Sequence, residues 1–181
     1  MPAAPAERSA GAARVLLVDD DPSVLDTLAA ILRTGGYEVL PVATAQAAIE
    51  ALRRQTIDAL VVDLRLSGQD DGLTILSAAV REQPDVVGIV LTGYGTLESA
   101  IQALDAGAFS YLLKPCNPDQ LQAAVLRGLE KRATARALVE LQHAVARAVE
   151  DRAEAQLRDA ESREAEAREA AARSSRRLSQ L

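Results

Sequence analysis

Residues 14–130 predict a doubly wound α/β domain on a parallel sheet, and residues 131–181 predict a long α-helix appended to it. Three observations lead there. Short β-rich runs alternate with helical patterns five times; three of those runs are nearly continuous apolar blocks; and the segment after Gly128 contains no Gly, no Pro and no aromatic residue. An apolar block of strand length is the pattern of a strand covered on both faces, which a sheet with helices on both sides requires.

The strand candidates are Arg14–Val18, Glu38–Val42, Asp58–Val62, Val86–Leu91 and Phe109–Leu113. Between the first two, Val24, Leu25, Leu28, Ile31 and Leu32 fall on one helical face. Asp21 is placed to cap that helix, Pro22 suits its first turn, and Gly35-Gly36 ends it. The helix after the fifth strand opens with Asn117 as cap, Pro118 next, and Gln120 at the capping-box position. Repeated strand–helix–strand units imply right-handed crossovers and parallel pairing.

The tail follows another pattern. Ala supplies 14 of residues 129–181. Glu154–Arg158, Asp159–Arg163, Glu164–Arg168 and Glu169–Arg173 place an acid four residues before a base, the favourable order on a helix. Leu138, Leu141, Val145 and Ala148 fit a heptad seam that continues through Arg152 and Ala155. A second register, through Leu157, Ala160, Ala167, Ala171, Leu178 and Leu181, is out of phase with the first and carries Glu164 and Ser174. A coiled coil pairing this helix with another is expected, with an isolated charge-paired helix as the alternative.

Composition narrows the function classes. With 49% apolar and 25% charged residues the chain is not wholly disordered. No run of about 18 apolar residues exists, so no membrane span is expected. Met1–Ala13 lacks a basic start and an apolar run, so it reads as a disordered tail and not as a secretory signal. A single cysteine, Cys116, excludes an internal disulfide and fits a reducing cytoplasm. The net charge of −6 argues against a nucleic-acid partner, and the arginines of the tail alternate with acids without forming a basic patch. His143, the sole histidine, lacks the adjacent acid and nearby Pro of a phosphorylated helix and is expected to be solvated or on the seam.

Chemistry gathers at the carboxyl ends of the predicted strands, where parallel α/β sheets bind ligands. Asp19-Asp20-Asp21 follow the first, Asp63 the third, Thr92-Gly93 the fourth and Lys114-Pro115 the fifth. Crowded carboxylates repel and partly protonate unless a cation compensates. A divalent metal with oxygen ligands meets that need, and Mg²⁺ suits few carboxylates, waters and a phosphate. With Lys114 and a Thr92 hydroxyl nearby, the set has the parts to hold a phosphoryl group, and a carboxylate can itself be the nucleophile.

Val18-Asp-Asp-Asp-Pro22, Val61-Val-Asp-Leu-Arg65, Leu91-Thr-Gly-Tyr-Gly95 and Ala106-Gly-Ala-Phe-Ser-Tyr-Leu-Leu-Lys-Pro115 together resemble the receiver domain of two-component response regulators. That resemblance implies a flavodoxin-like sheet of order 2-1-3-4-5, as in chemotaxis response regulators. It implies Asp63 as phosphoacceptor, and Asp19, Asp20, Asp63 and the Arg65 carbonyl as Mg²⁺ ligands. Thr92 and Lys114 would bind the phosphoryl oxygens, and Tyr111 would be the rotating switch aromatic. The Lys114–Pro115 bond is expected to be cis. A sensor histidine kinase or phosphotransfer protein would supply the phosphoryl group, and the face of the fourth helix, fifth strand and fifth helix would signal to a downstream protein or drive homodimerisation. Such a protein is not an enzyme beyond its own Mg²⁺-dependent phosphorylation and autodephosphorylation. One stretch departs from the family: Ser67-Gly-Gln-Asp-Asp-Gly72 has Ser where Pro is usual and one extra residue, so a more pliable loop and an altered phosphoryl lifetime are expected.

With no space for a helix-turn-helix or a catalytic module after the domain, the output is expected to be protein–protein. Two alternatives stand beside it. One is an unphosphorylated scaffold or adaptor. The other is a small aspartate-nucleophile phosphatase, suggested by Asp19-x-Asp21, which would leave Asp63 and Thr92 unexplained.

Overall fold

A computed structural model describes residues 11–67 and 72–178 of the chain, with side chains through Glu169. The expected tail at 1–13 therefore lies largely outside the described residues, as do Gly68–Asp71 of the departing loop. The Glu169–Arg173 pair and the last seam positions (Ala171, Ser174, Leu178 and Leu181) are likewise outside the described side chains.

The elements run β1 (Arg14–Val18), α1 (Pro22–Thr34), β2 (Glu38–Val42), α2 (Ala45–Arg54), β3 (Ala59–Asp63), α3 (Gly72–Glu82), β4 (Val87–Thr92), α4 (Leu97–Asp105), β5 (Ala108–Leu113) and α5 (Pro118–Leu178). All pairings are parallel, in the order β2-β1-β3-β4-β5, the flavodoxin-like order. By fold of its contacts the chain divides into two units, Met1–Ala133 and Thr134–Leu181.

Burial along the strands explains why their sequences differ. β3 and β4 are buried at every position and β1 at all but its first, whereas β2 is half-exposed at the sheet edge. Pro41 sits in that edge strand, the place in a sheet where a missing N–H is tolerated. Alternate residues of the central strands feed two cores. Leu16, Val18, Leu60, Val62 and Val90 pack with Ala48 and Leu52 of α2, Ile75 and Leu76 of α3, and Ala103 of α4. Val15, Leu17, Val61, Ile89 and Leu91 pack with Leu25, Leu28 and Leu32 of α1 and Leu121 and Val125 of α5.

Local signals behave as their chemistry dictates. The Asp21 carboxylate accepts from the Ser23 N–H at 2.8 Å, capping α1. Asn117 accepts from the Asp119 N–H at 2.9 Å, and Gln120 Oε1 accepts from the Asn117 N–H at 3.4 Å, closing the cap of α5. Gly36, with φ of +84°, turns the chain out of α1. Two details differ from the helical-face reading. Val24 and Ile31 are only half-buried, while Ala29, small enough to approach the sheet, is in the core. β3 also starts one residue later than expected; Asp58 before it keeps its backbone bonds to Arg14 and Val87 while its side chain pairs with Arg132.

Residues 134–169 of α5 are exposed throughout. Glu154–Arg158 closes at 2.9 Å and Glu164–Arg168 at 3.1 Å. Leu138, Val139, Leu141, Val145, Val149 and Leu157 stand at least 48% exposed. Among the described residues no helix is long and apolar enough to cross a membrane.

Candidate functional site

Strand ends bring the predicted residues together. Asp19 follows β1, Asp63 is the last residue of β3, Thr92 the last of β4, and Lys114 follows β5. Parallel pairing puts these ends at one edge, and the backbone is tied there: Leu64 N–H donates to the Leu91 carbonyl at 3.3 Å, and Lys114 N–H to the Thr92 carbonyl at 2.8 Å. The Lys114–Pro115 peptide is cis.

Asp19, only 2% exposed, and Asp63, at 9%, are two buried carboxylates with one ammonium between them. Lys114 Nζ donates to Asp63 Oδ2 at 2.6 Å and also to Asp19 Oδ2. Burial works against the lysine's charge, but the hydrogen bonds and charges of Asp19 and Asp63 outweigh it and hold the ammonium above the ordinary lysine range. Asp63 Oδ1 accepts from the Arg65 N–H at 3.1 Å, and Asp19 Oδ1 from the Asp21 N–H at 3.0 Å.

Asp20 is held differently. Its Oδ2 accepts from the Ser67 N–H at 3.0 Å and from the Ser67 hydroxyl. The Ser67 hydroxyl, with lesser help from backbone donors and the Lys114 charge, keeps the Asp20 carboxyl below the usual carboxylate range. One oxygen each from Asp19, Asp20 and Asp63 lies within 4.8 Å of the others. That is about twice a divalent metal–oxygen bond of ~2.1–2.4 Å, so a single ion can meet all three. Three carboxylates against one ammonium leave a surplus of negative charge, the electrostatic condition for such an ion. The donor set, all oxygen, suits a hard cation.

Thr92 is 1% exposed, and its Oγ1 accepts from the Tyr94 N–H at 3.2 Å. Asp21, the third acid of the run, is spent on the α1 cap. Tyr111 is half-buried against the core, and its hydroxyl meets Ser99 Oγ at 2.8 Å. Ser99 is itself part of the α4 capping box with Thr96. Gly72 opens α3 hard against the site, since a Cβ there would collide with the Asp63 carbonyl.

Sequence reasoning missed three contacts. The Ser67–Asp20 bonds join positions 47 apart and nothing local announces them. The Arg65 guanidinium lies 5.3 Å from the Tyr94 ring centroid, giving that exposed tyrosine a partner. Ser99 carries the signal of a capping residue but none of its bond to Tyr111.

A profile of the response regulator receiver domain matches residues 15–126, more than half of the chain. The chain belongs to the response regulator receiver family. Among curated proteins, the alginate biosynthesis transcriptional regulatory protein AlgB of Pseudomonas aeruginosa is 40% identical over 119 residues, covering 66% of this chain and 26% of that protein. The chain thus spans about a quarter of the length of the curated relatives it matches. Among solved structures, a receiver domain protein of Methanospirillum hungatei superposes with a TM-score of 0.66 at 32% identity, covering 69% of this chain and 99% of that one. A response regulator of Burkholderia pseudomallei superposes at 0.60 with 31% identity, covering 72% of this chain and 81% of its own. That structure is described as holding a phosphorylated aspartic acid, a calcium ion and citrate.

Proposed function

We propose that this receiver accepts a phosphoryl group on Asp63 from the phosphohistidine of a sensor kinase or phosphotransfer protein. One observation carries the reading: Lys114 bridges buried Asp19 and Asp63, and Asp20 completes a trio of carboxylate oxygens within 4.8 Å. The phosphorylated aspartate in the similar Burkholderia pseudomallei structure supports it. Asp19, Asp20, Asp63 and the Arg65 carbonyl are the groups that would hold Mg²⁺. Bound there, Mg²⁺ supplies the positive charge that offsets the approach of an anionic phosphoryl group to a carboxylate.

A carboxylate can itself be the nucleophile, so the step asks for no separate base. An Asp63 carboxylate oxygen attacks phosphorus; the new P–O bond forms as the P–N bond breaks, and the electron pair goes to the imidazole nitrogen of the donor. Lys114, which now spans two carboxylates, follows the charge onto a phosphoryl oxygen. Thr92 turns its hydroxyl from accepting the Tyr94 N–H to donating to another. Tyr111 then leaves Ser99 for the space Thr92 vacates, and the surface of α4, β5 and α5 changes for a downstream protein. The protein's own chemistry ends at acquiring and hydrolysing this acyl phosphate, without turnover of an external substrate. A scaffold that is never phosphorylated would have no use for three clustered carboxylates around one lysine.

The tail supports a second part of the reading. Leu138, Leu141 and Val145 lie three and four residues apart and expose more than half their surface, the spacing of a seam between two helices. A second copy of the chain is the partner inferred for it.

Acetyl phosphate with Mg²⁺ tests the first part. The full chain should gain one acid-labile phosphoryl group, and Asp63→Ala should gain none. Labelling of Asp63→Ala to the same extent overturns the assignment. Sedimentation tests the second: Leu141→Glu with Val145→Glu should convert a dimer to a monomer, and a monomeric wild type would refute the pairing.

A further inference from the structure

Asp20 differs from the other two acids of the cluster in what fixes it. Asp19 and Asp63 are buried and share the Lys114 ammonium, so their carboxylates are held by packing and by charge. Asp20 is more exposed and makes no ion pair with Lys114. Its restraint comes from the far side of the site, from Ser67, four residues beyond Asp63. Both Ser67 donors, the N–H and the hydroxyl, go to the same oxygen, Oδ2. Oδ1 is the oxygen Ser67 does not engage.

We propose that Ser67 is a positioning residue for the cation: it anchors Asp20 by Oδ2, leaves Oδ1 for the metal, and so favours Mg²⁺ over Ca²⁺ at this site. The proposal rests on the phosphoacceptor reading above. Hydrogen bonds behind a ligating carboxylate commonly set metal affinity by 10- to 100-fold when removed. Mg²⁺ demands near-ideal octahedral geometry with short bonds, whereas Ca²⁺ tolerates longer bonds and variable coordination. A carboxylate free to rotate therefore costs Mg²⁺ binding more than it costs Ca²⁺ binding. Ser67 also joins the turn after β1 to the chain after β3, so one residue ties two of the segments that build the site.

Calorimetric titration of the full chain with MgCl₂ and, separately, CaCl₂ tests this, with circular dichroism confirming each fold. Ser67→Ala loses the hydroxyl and keeps the N–H; its Mg²⁺ affinity should fall about tenfold and its Ca²⁺ affinity less than about threefold. Ser67→Thr restores a hydroxyl and should stay within about twofold of wild type for both ions. Unchanged Mg²⁺ affinity in Ser67→Ala, an equal fall for both ions, or failure of Ser67→Thr to restore binding overturns the proposal. If wild type binds Mg²⁺ and Asp20→Asn does not, such a result removes the role of Ser67 alone. If wild type binds no Mg²⁺, the cation reading of the cluster falls and the proposal with it.

Discussion

One strand carries an aspartate at each end, and the two ends are opposites. Asp58, immediately before β3, is a closed account of charge. Its Oδ1 accepts from Arg132 at 2.6 Å, its Oδ2 from the Arg14 N–H at 2.8 Å, and its carbonyl from Arg132 at 3.0 Å. One carboxylate meets one guanidinium, both largely buried, and nothing is left over for a ligand. Asp63, at the other end, shares one ammonium with Asp19 while Asp20 stands within 4.8 Å. A buried acid is structural where its charge is matched and becomes a binding site where it is not.

Breaking the matched end should have the largest effect. Arg132→Ala takes the guanidinium from the buried Asp58 carboxylate, and should lower the free energy of unfolding in urea by about 3 kcal/mol. A loss below about 1 kcal/mol would mean that water replaces the guanidinium freely and that the ends do not differ as argued. Mg²⁺ should act at the other end only. At ten times its dissociation constant it should stabilise wild type by about 1.4 kcal/mol, give Arg132→Ala the same increment, since the ends are a strand apart, and leave Asp20→Asn unmoved.

Neutralising Asp20 should cost far less than Arg132→Ala. In metal-free buffer Asp20→Asn keeps an oxygen for Ser67 but loses the charge that the Ser67 donors favour, so it should lower the stability of the fold by less than about 1 kcal/mol. A loss in thermal or urea unfolding as large as that of Arg132→Ala would show that Asp20 is as tightly matched as Asp58.

The smallest effects concern pH. The Lys114 pKa is raised in the fold, so its contribution is complete below the ordinary lysine pKa and is lost as pH climbs through the folded value. The Asp20 pKa is lowered, so its contribution is present above the ordinary carboxylate pKa and is lost as pH falls through the folded value. Urea midpoints taken across pH should therefore show a shallower alkaline limb for Lys114→Met and a shallower acid limb for Asp20→Asn.

These two ends were not equally legible in the sequence. Asp19, Asp20, Asp63, Thr92 and Lys114 each follow or end an apolar run, and the geometry of a parallel sheet alone sends all such positions to one edge. The caps at Asp21 and Asn117 were equally readable, because a cap and its target lie within three residues. Asp58–Arg132 spans 74 residues and Ser67–Asp20 spans 47. Pairings of that kind depend on which helix lands beside which strand end, and neither residue carries a local mark of its partner. Val24 and Ile31 lie on the expected helical face and pack against the core but are only half-buried, because helical periodicity gives the direction of a face but not how much of its rim the neighbours cover.

The central claim is that the uncompensated end of β3 is where phosphorus binds, covalently, to Asp63. Its most direct test is borohydride reduction of the chain after reaction with acetyl phosphate and Mg²⁺, followed by peptide sequencing by mass. A single reduced side chain is expected, at position 63. Reduction at Asp19, Asp20 or Asp58, or at no aspartate while the chain is labelled, would contradict it.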